Sequence, residues 1–411
     1  MLYRNARIEN AETCVDFRVA DGKFESVGLN LAMRSGEEVV DLKGKLVLPP
    51  FVEPHIHLDT TMTAGEPRWN MGGTLFEGIE IWSERKHSLT REDVIERASR
   101  CIRSLASNGV QFVRTHVDCT DHTLTAIKAM LEVRELFRGK VEVQVVAFPQ
   151  EGIMSFPRGA ELLEECARLG VDVLGAIPHY EFTREYGVES LNLMMKLAQK
   201  YDLLVDVHCD EIDDGSSRFL ETLACRAYES GLKSRVTASH TTAMHSYDNA
   251  YCTKLMRLLR LSEINFIANP LVNTHLQGRM DTYPKRRGVT RVRELLAAGC
   301  NVAFGHDDVY DPWYPLGTGN PMDCIQMGIH VTQMLGYDEI MTSYLFCTHR
   351  AARCLSLGQD YGIEPGRPAN FIVLNAKTWY EALNRRAEVT MNVHQGKLIS
   401  RTKPKESEVL I

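Results

Sequence analysis

The sequence predicts a (β/α)8 barrel of the TIM type with a small β-domain formed by the N- and C-terminal strands. Between about residues 46 and 304, eight short apolar strands alternate with helical segments, which is typical of repeated βα units around a parallel sheet. These units occupy about 260 residues, close to the roughly 250 of such a barrel. A doubly wound open sheet is the alternative, but its Gly-rich first turn is missing.

The two ends of the chain alternate apolar and polar residues with a period of two. YRNARIEN, VDFRVADGKFESVG and EEVVDLKGKLVLP predict antiparallel strands near the N-terminus, and Asp21-Gly22 indicates a hairpin. ANFIVLNA and EVTMNVHQGKLIS predict further strands after residue 360. Because neither set has enough strands to bury a face alone, we expect residues 1–49 and 361–411 to form one β-domain, and residues 50–360 to form the barrel.

The predicted barrel elements follow one another in order. The strands are Leu46–Pro50, Gln111–His116, Glu142–Phe148, Val173–Ile177, Leu203–Val207, Arg235–Ser239, Asn265–Ala268 and Asn301–Phe304. The helices between them include Thr90–Ser107, Leu124–Leu136, Ala160–Leu169, Val188–Tyr201, Ser217–Ser230 and Asn249–Arg260.

Composition narrows the class of protein. Apolar residues make up 44% and charged residues 25%, as in soluble globular proteins. The net charge of −7 and the lack of a large basic patch argue against nucleic-acid binding. No stretch predicts a membrane span or a secretory signal. Eleven cysteines without C-x-x-C spacing indicate reduced thiols, so we expect a cytoplasmic protein.

Five candidate metal ligands follow apolar runs at the predicted ends of strands: His55, His57, His208, His240 and Asp307. Active sites of such barrels lie at the carboxyl ends of the strands. Residues i and i+2 of a strand point the same way, so both imidazoles of the H-x-H pair can reach one ion. An isolated H-x-H would more often be two exposed loop histidines, but five aligned candidates favour a metal site. Such ligands suit zinc or ferrous iron, which activates water, so the pattern predicts a metallohydrolase.

Two acids, Glu211 and Asp308, and one further histidine, His306, lie near these candidate ligands in the sequence. Glu211 follows His208 closely enough to shuttle protons, although an acid in the first turn of the next helix is an equally good interpretation. Asp308 adjoins Asp307, and two buried carboxylates repel unless one binds a cation. We therefore expect Asp307 to face the ion and Asp308 to face substrate. His306 should point the opposite way from Asp307, which makes it a weaker candidate ligand.

Long motifs then reveal a resemblance. The segments PPFVEPHIHLDTT, VAFPQEGI, GAIPHYEFTREYGVESL, DVHCDEIDD, TASHTTAMHSY, NPLVNTHLQGR and FGHDDVYDPWYPLG resemble those of the bacterial cytosine deaminases, in the amidohydrolase superfamily. The resemblance spans nearly the whole chain. AIPHYEF contains no lysine to be carboxylated as in binuclear members, which implies a mononuclear site.

The resemblance also implies roles for individual residues. One divalent ion, Fe²⁺ or Zn²⁺ or alternatively Mn²⁺, would be bound by His55, His57, His208 and Asp307. His240 and Asp307 would assist deprotonation of water, and Glu211 would move a proton to the ring nitrogen. Gln150 would bind the ring amide, Asp308 would lie beside the leaving amine, and an apolar slot would be lined by Phe148, Leu276 and Trp313.

The implied reaction is conversion of cytosine to uracil and ammonia in pyrimidine salvage, by a homo-oligomer acting on a free nucleobase. A relative acting on 5-methylcytosine, isocytosine or isoguanine is the nearest alternative. A cyclic-amide hydrolase is disfavoured by the missing lysine, and a non-catalytic metal-binding protein by the presence of Glu211 and Asp308.

Overall fold

The structure is a computed structural model, and it describes residues 1–410. The strands are β1 Leu2–Ile8, β2 Val15–Ala20, β3 Lys23–Gly28, β4 Val39–Asp41, β5 Leu46–Leu48, β6 Phe51–Ile56, β7 Val110–Asp118, β8 Glu142–Phe148, β9 Val173–Leu174, β10 Leu204–Cys209, β11 Val236–His240, β12 Asn265–Ala268, β13 Asn301–Phe304, β14 Phe371–Leu374, β15 Val389–His394 and β16 Lys397–Ser400.

The helices are α1 Leu75–Lys86, α2 Arg91–Ser107, α3 Thr125–Phe137, α4 Gly159–Leu169, α5 Arg184–Tyr201, α6 Phe219–Ser230, α7 Asn249–Ser262, α8 Pro270–Leu276, α9 Val292–Ala297, α10 Pro321–Val331, α11 Tyr337–Thr342, α12 His349–Cys354 and α13 Trp379–Arg385. Several begin at a side-chain cap. Thr90 and Thr183, for example, accept the backbone N–H three residues ahead, which satisfies a donor that the helix itself leaves free.

Eight parallel strands, β6 to β13, pair in chain order and form a nearly closed barrel. The two ends of this sheet meet where Ile56 bridges Asp307. There the N–H of Asp307 donates to the carbonyl of His55 at 2.8 Å, and the N–H of His57 donates to the carbonyl of Asp307 at 2.9 Å. The predicted barrel is therefore confirmed, and its seam lies between two candidate metal-binding segments.

A second sheet, largely antiparallel, combines strands from both ends of the chain, as predicted. Its order is β16-β15-β14-β5-β1-β2-β3, and β4 pairs with β1. The aromatic side chains of Tyr3, Phe17, Phe24 and Phe371 pack against one another in its core. These rings come from both termini, so burying them requires the two ends to fold together.

The first barrel strand was wrongly predicted at Leu46–Pro50. Leu46–Leu48 instead pairs with β1 and β14 of the second sheet, and the barrel begins at Phe51–Ile56. Both segments are buried and begin with apolar residues, so this pattern alone does not distinguish the sheets. Pro49 and Pro50 separate them because proline has no N–H to give to a ladder.

Two further observations bear on the sequence predictions. No helix among residues 1–410 is long and apolar enough to span a membrane. All eleven cysteines are free thiols, and nine of them are buried. They pack as small apolar side chains rather than as a disulfide framework.

Candidate metal centre and active site

The barrel brings the candidate ligands to its carboxyl end. His55 lies in β6 and His57 one residue beyond it, His208 lies in β10, His240 ends β11, and Asp307 follows β13. All five side chains are buried. These strands are far apart in sequence, and only closure of the barrel makes them neighbours.

Four of these residues form one compact donor set. One ligand atom from each of His55, His57, His208 and Asp307 lies within 4.8 Å of all the others. His57 Nε2 is 3.2 Å from His208 Nε2 and 3.3 Å from Asp307 Oδ1, while His55 Nε2 is 3.1 Å from the same oxygen. A tetrahedral ion with bonds of about 2.0–2.1 Å has edges of about 3.3–3.4 Å, so the set fits a divalent cation.

Asp307 has an unusual backbone conformation. Its φ is 69°, in the left-handed region that non-glycine residues seldom adopt, and His240 has a φ of 66°. The seam hydrogen bonds to His55 and His57 hold Asp307 in this conformation. Burial alone would raise the pKa of Asp307, but interactions with His240, His55 and His57 hold it well below its usual range. A carboxylate that stays ionised suits a metal ligand.

His306 points away from this set, as expected. Its Nδ1 lies 2.6 Å from Glu53 Oε2, and its backbone N–H donates to Glu53 Oε1 at 3.0 Å. The N–H of His55 donates to the same oxygen at 3.2 Å. Glu53 therefore ties β6 to the loop that carries Asp307, and His306 completes this contact.

Glu211 and His240 lie beside the donor set. His240 Nδ1 is 3.2 Å from Glu211 Oε1 and 3.7 Å from Asp307 Oδ2. Burial, and next the charge of Asp307, raises the pKa of Glu211 well above its ordinary value. A carboxyl group that holds its proton near neutral pH can act as an acid toward a bound molecule.

Asn273 of α8 contacts His240 through its side-chain amide. Asn273 Nδ2 lies 3.0 Å from His240 Nδ1, and Asn273 Oδ1 accepts the N–H of Asn269 at 3.1 Å. Since that oxygen is already engaged, the NH₂ group must face the imidazole. Sequence analysis missed Asn273 because its contact depends on where the first turn of α8 lies.

A small pocket opens beside the ligands, and most of the predicted substrate residues line it. Its walls are His57, Leu75, Gln150, Ile177, His208, Glu211, Leu276, Asp307, Asp308 and Trp313. Burial, and next the charges of Asp311 and Asp307, raises the pKa of Asp308 well above its ordinary value. The pocket thus combines an apolar wall with one amide, two imidazoles and three carboxyl groups.

Phe148 lies behind this wall. Its ring stacks on the His208 imidazole, with centroids 3.9 Å apart and an angle of 16° between the planes. It is not among the residues that line the pocket. Its direct contact with substrate stays a prediction, while its contact with a candidate ligand is clear.

Leu75 and Ile177 were missed as pocket residues. Leu75 starts α1, a helix that the sequence analysis did not predict, and Trp313 Nε1 donates to its carbonyl at 3.2 Å. The sequence Thr74-Leu-Phe-Glu77 has the capping-box pattern that indicates the start of a helix. In the structure, Thr74 Oγ1 accepts the N–H of Glu77. Gly78 of the same helix lies against Trp313, where a Cβ would come within 2.4 Å of the indole.

Comparison with known proteins agrees with this architecture. The sequence pattern of the amidohydrolase family matches residues 38–399, so the chain belongs to that family. It is 51% identical to 5-methylcytosine deaminase from Klebsiella pneumoniae, solved with 5-fluorocytosine, with 100% of this chain and 99% of that one covered and a TM-score of 0.97.

Two further relatives are more distant. N-isopropylammelide isopropyl amidohydrolase from Pseudomonas sp. strain ADP is 28% identical over 97% of this chain and 96% of its own length. The structure of N-isopropylammelide isopropylaminohydrolase from Burkholderia multivorans is 25% identical, covers 97% of this chain and 98% of that one, and has a TM-score of 0.84.

Proposed function

We propose that this protein is a metal-dependent deaminase that hydrolyses the exocyclic amine of a cytosine-type pyrimidine. The observation that carries the proposal is the position of Glu211, which faces the same pocket as the donor atoms of His57, His208 and Asp307. A metal-binding protein without catalysis needs no buried acid beside its ligands. The full-length similarity to a 5-methylcytosine deaminase supports the same reaction class.

The pocket suits a flat heterocycle. Leu75, Ile177, Leu276 and Trp313 provide apolar surface around a few polar groups, as in sites for small aromatic ligands. The amide of Gln150 offers an acceptor oxygen and donor hydrogens, which complement the N–H and carbonyl along one edge of the cytosine ring. We propose that this pairing turns the amine-bearing carbon toward His57, His208 and Asp307.

When bound, a divalent ion supplies Lewis acidity and lowers the pKa of water. We propose that Asp307 or His240 takes one proton from the water, whose oxygen bonds to the amine-bearing carbon. Glu211 gives its proton to the adjacent ring nitrogen. The amine then accepts the proton held by Asp307 or His240, the C–N bond breaks, and ammonia leaves. Glu211 regains a proton from the new hydroxyl group as the carbonyl forms.

We propose that Asp308 faces the exocyclic amine of the bound base. A carboxyl group there can hydrogen-bond the exocyclic amine, and such bonds are strong where water is excluded. Cytosine is the substrate that the sequence motifs favour. The 51% identity to a 5-methylcytosine deaminase makes 5-methylcytosine a second candidate, and we expect both bases to be deaminated.

Ammonia release from a panel of bases tests the proposal. Cytosine, 5-methylcytosine, isocytosine, isoguanine and adenine would be compared as substrates for one protein sample of measured metal content. We expect release from the two cytosines and little from the purines. A metal-loaded sample that releases no ammonia from any of the five would contradict the proposal.

A further inference from the structure

A chain of buried polar side chains lies behind His55, away from the substrate pocket. Arg114 Nη1 donates to Asp206 Oδ2 at 2.9 Å, Ser239 Oγ donates to Asp206 Oδ1 at 2.6 Å, and Ser239 Oγ lies 2.9 Å from His55 Nδ1. All four side chains are fully buried. Arg114, Asp206 and Ser239 thus form a buried series of hydrogen bonds that ends at His55.

The direction of each hydrogen bond in this chain is determined by the groups involved. The guanidinium of Arg114 only donates and keeps its charge, so its buried partner Asp206 is the matching anion and only accepts. Ser239 has one proton, and Asp206 takes it because an anion cannot donate one. The Ser239 oxygen must then accept from His55, which places the imidazole proton on Nδ1.

We infer that Ser239 and Asp206 are positioning residues that hold His55 in the tautomer with a free Nε2 lone pair. That nitrogen is the one that lies 3.1 Å from Asp307 Oδ1, inside the candidate donor set. A neutral imidazole binds a cation only through an unprotonated nitrogen, and a hydrogen bond to the other nitrogen selects which one is free. The inference rests on the metal centre of the proposed function but not on the identity of the substrate.

The same region does not form a second cation site. His55, His116 and Asp206 also lie close together, and both ring nitrogens of His116 are buried without a hydrogen bond. However, the Arg114 cation is already bonded to Asp206 and would repel a second positive ion there. His116 instead stacks on His55, with ring centroids 3.8 Å apart, and limits rotation of that ring.

Two substitutions separate positioning from simple structural support. Ser239→Ala removes the acceptor and leaves both tautomers of His55 open. Asp206→Asn is nearly isosteric, and its amide oxygen should stay with Arg114 while its NH₂ group faces Ser239. The serine hydroxyl would then donate to His55 and favour the proton on Nε2. An amide in place of a carboxylate has the same effect behind the histidine of a catalytic triad.

The measurement is the affinity of metal-depleted protein for Zn²⁺, by competition with a chromophoric chelator. We expect Ser239→Ala to raise the Kd roughly 10- to 100-fold, the usual effect of losing such a partner. Asp206→Asn should raise it further, with one ion still bound per chain. Ser262→Ala is the matched control, because this buried serine bonds only to Leu259 of its own helix; its Kd should equal that of the wild type.

Thermal melting of the metal-free variants checks that each is folded, and ammonia release is not needed for the test. A role in fold stability alone would lower the melting temperature and leave the Kd unchanged. A Zn²⁺ Kd for folded Ser239→Ala within about twofold of wild type would overturn the inference, since a lost partner of this kind should cost far more. If Asp206→Asn fails to fold, the Ser239→Ala result still decides.

Discussion

His57 Nε2 and His208 Nε2 lie 3.2 Å apart in the centre of the barrel mouth. His57 follows β6 and His208 lies in β10, and these two strands are four apart in the sheet order. A cation between the two nitrogens would use both lone pairs at once. This contact is the geometric basis for the proposed metal site.

His57→Ala should remove one donor without unfolding the barrel, because His57 follows β6 rather than forming its core. We expect the Kd for Zn²⁺ to rise by more than roughly 100-fold, beyond the usual effect of losing an indirect partner. Deaminase activity should fall with it. The control is His330→Ala, on the exposed face of α10. Stoichiometric metal and full activity in His57→Ala would disprove its role as a ligand.

Glu211→Gln keeps the size and polarity of the side chain but cannot donate the same proton. We expect near-normal metal content and a kcat reduced by roughly 10²–10⁴, the range for a general acid–base group. Steady-state ammonia release and metal analysis of one preparation provide the readouts, and exposed Glu229→Gln serves as control. A loss smaller than about threefold would fall outside that range and leave Glu211 a structural acid.

Asp308→Ala tests substrate choice. Loss of its hydrogen bond to the substrate amine should lower kcat/KM for cytosine roughly 10- to 100-fold, while metal binding stays intact. The shorter side chain also opens space in the pocket, so 5-methylcytosine and 5-fluorocytosine should lose less activity than cytosine. Exposed Asp338→Ala is the control. Equal losses for all three bases would assign Asp308 to the common chemistry, and loss of metal would mean that the roles of Asp307 and Asp308 are reversed.

His179 predicts a pH dependence of stability. Both its ring nitrogens are buried without a hydrogen bond, and burial lowers its pKa to about 3. In the unfolded chain the group titrates near 6.5. Below about pH 6.5 the unfolded state therefore binds a proton that the folded state does not, so stability falls as the pH drops toward 3.

His179→Gln should weaken this dependence. Between pH 7.5 and pH 5, the free energy of unfolding of the metal-depleted wild type should fall by about 2 kcal/mol more than that of the variant. Urea denaturation at the two pH values measures this difference, with His330→Gln as an exposed control. Identical pH dependences in wild type and His179→Gln would show that His179 gains its proton while the protein is folded.

The sequence anticipated the parts of the site that follow from regular strands. His55, His57, His208 and Asp307 were predicted to converge because parallel strands share one carboxyl edge and alternate residues share one face. The structure brings their donor atoms together as expected. Gln150, Asp308, Leu276 and Trp313 also line the predicted pocket, although their contacts with substrate stay predictions.

Other features depend on distances that periodicity does not contain. Leu46–Leu48 was placed in the wrong sheet because two adjacent buried strands both begin with apolar residues. Ser239 and Asp206 look like ordinary strand residues in the sequence, and only the register of β10 against β11 aligns them with His55. Asn273 likewise reaches His240 only because α8 begins directly after β12.

The central claim is that one ion in this donor set supports deamination of a cytosine-type base. The most direct measurement is a titration of metal-depleted protein with Zn²⁺, or with Fe²⁺ under anaerobic conditions, while ammonia release from cytosine and 5-methylcytosine is followed. We expect activity to rise in proportion to added metal and to level off at one ion per chain. Full activity in the metal-depleted protein, or no ammonia release with one ion bound per chain, would contradict the claim.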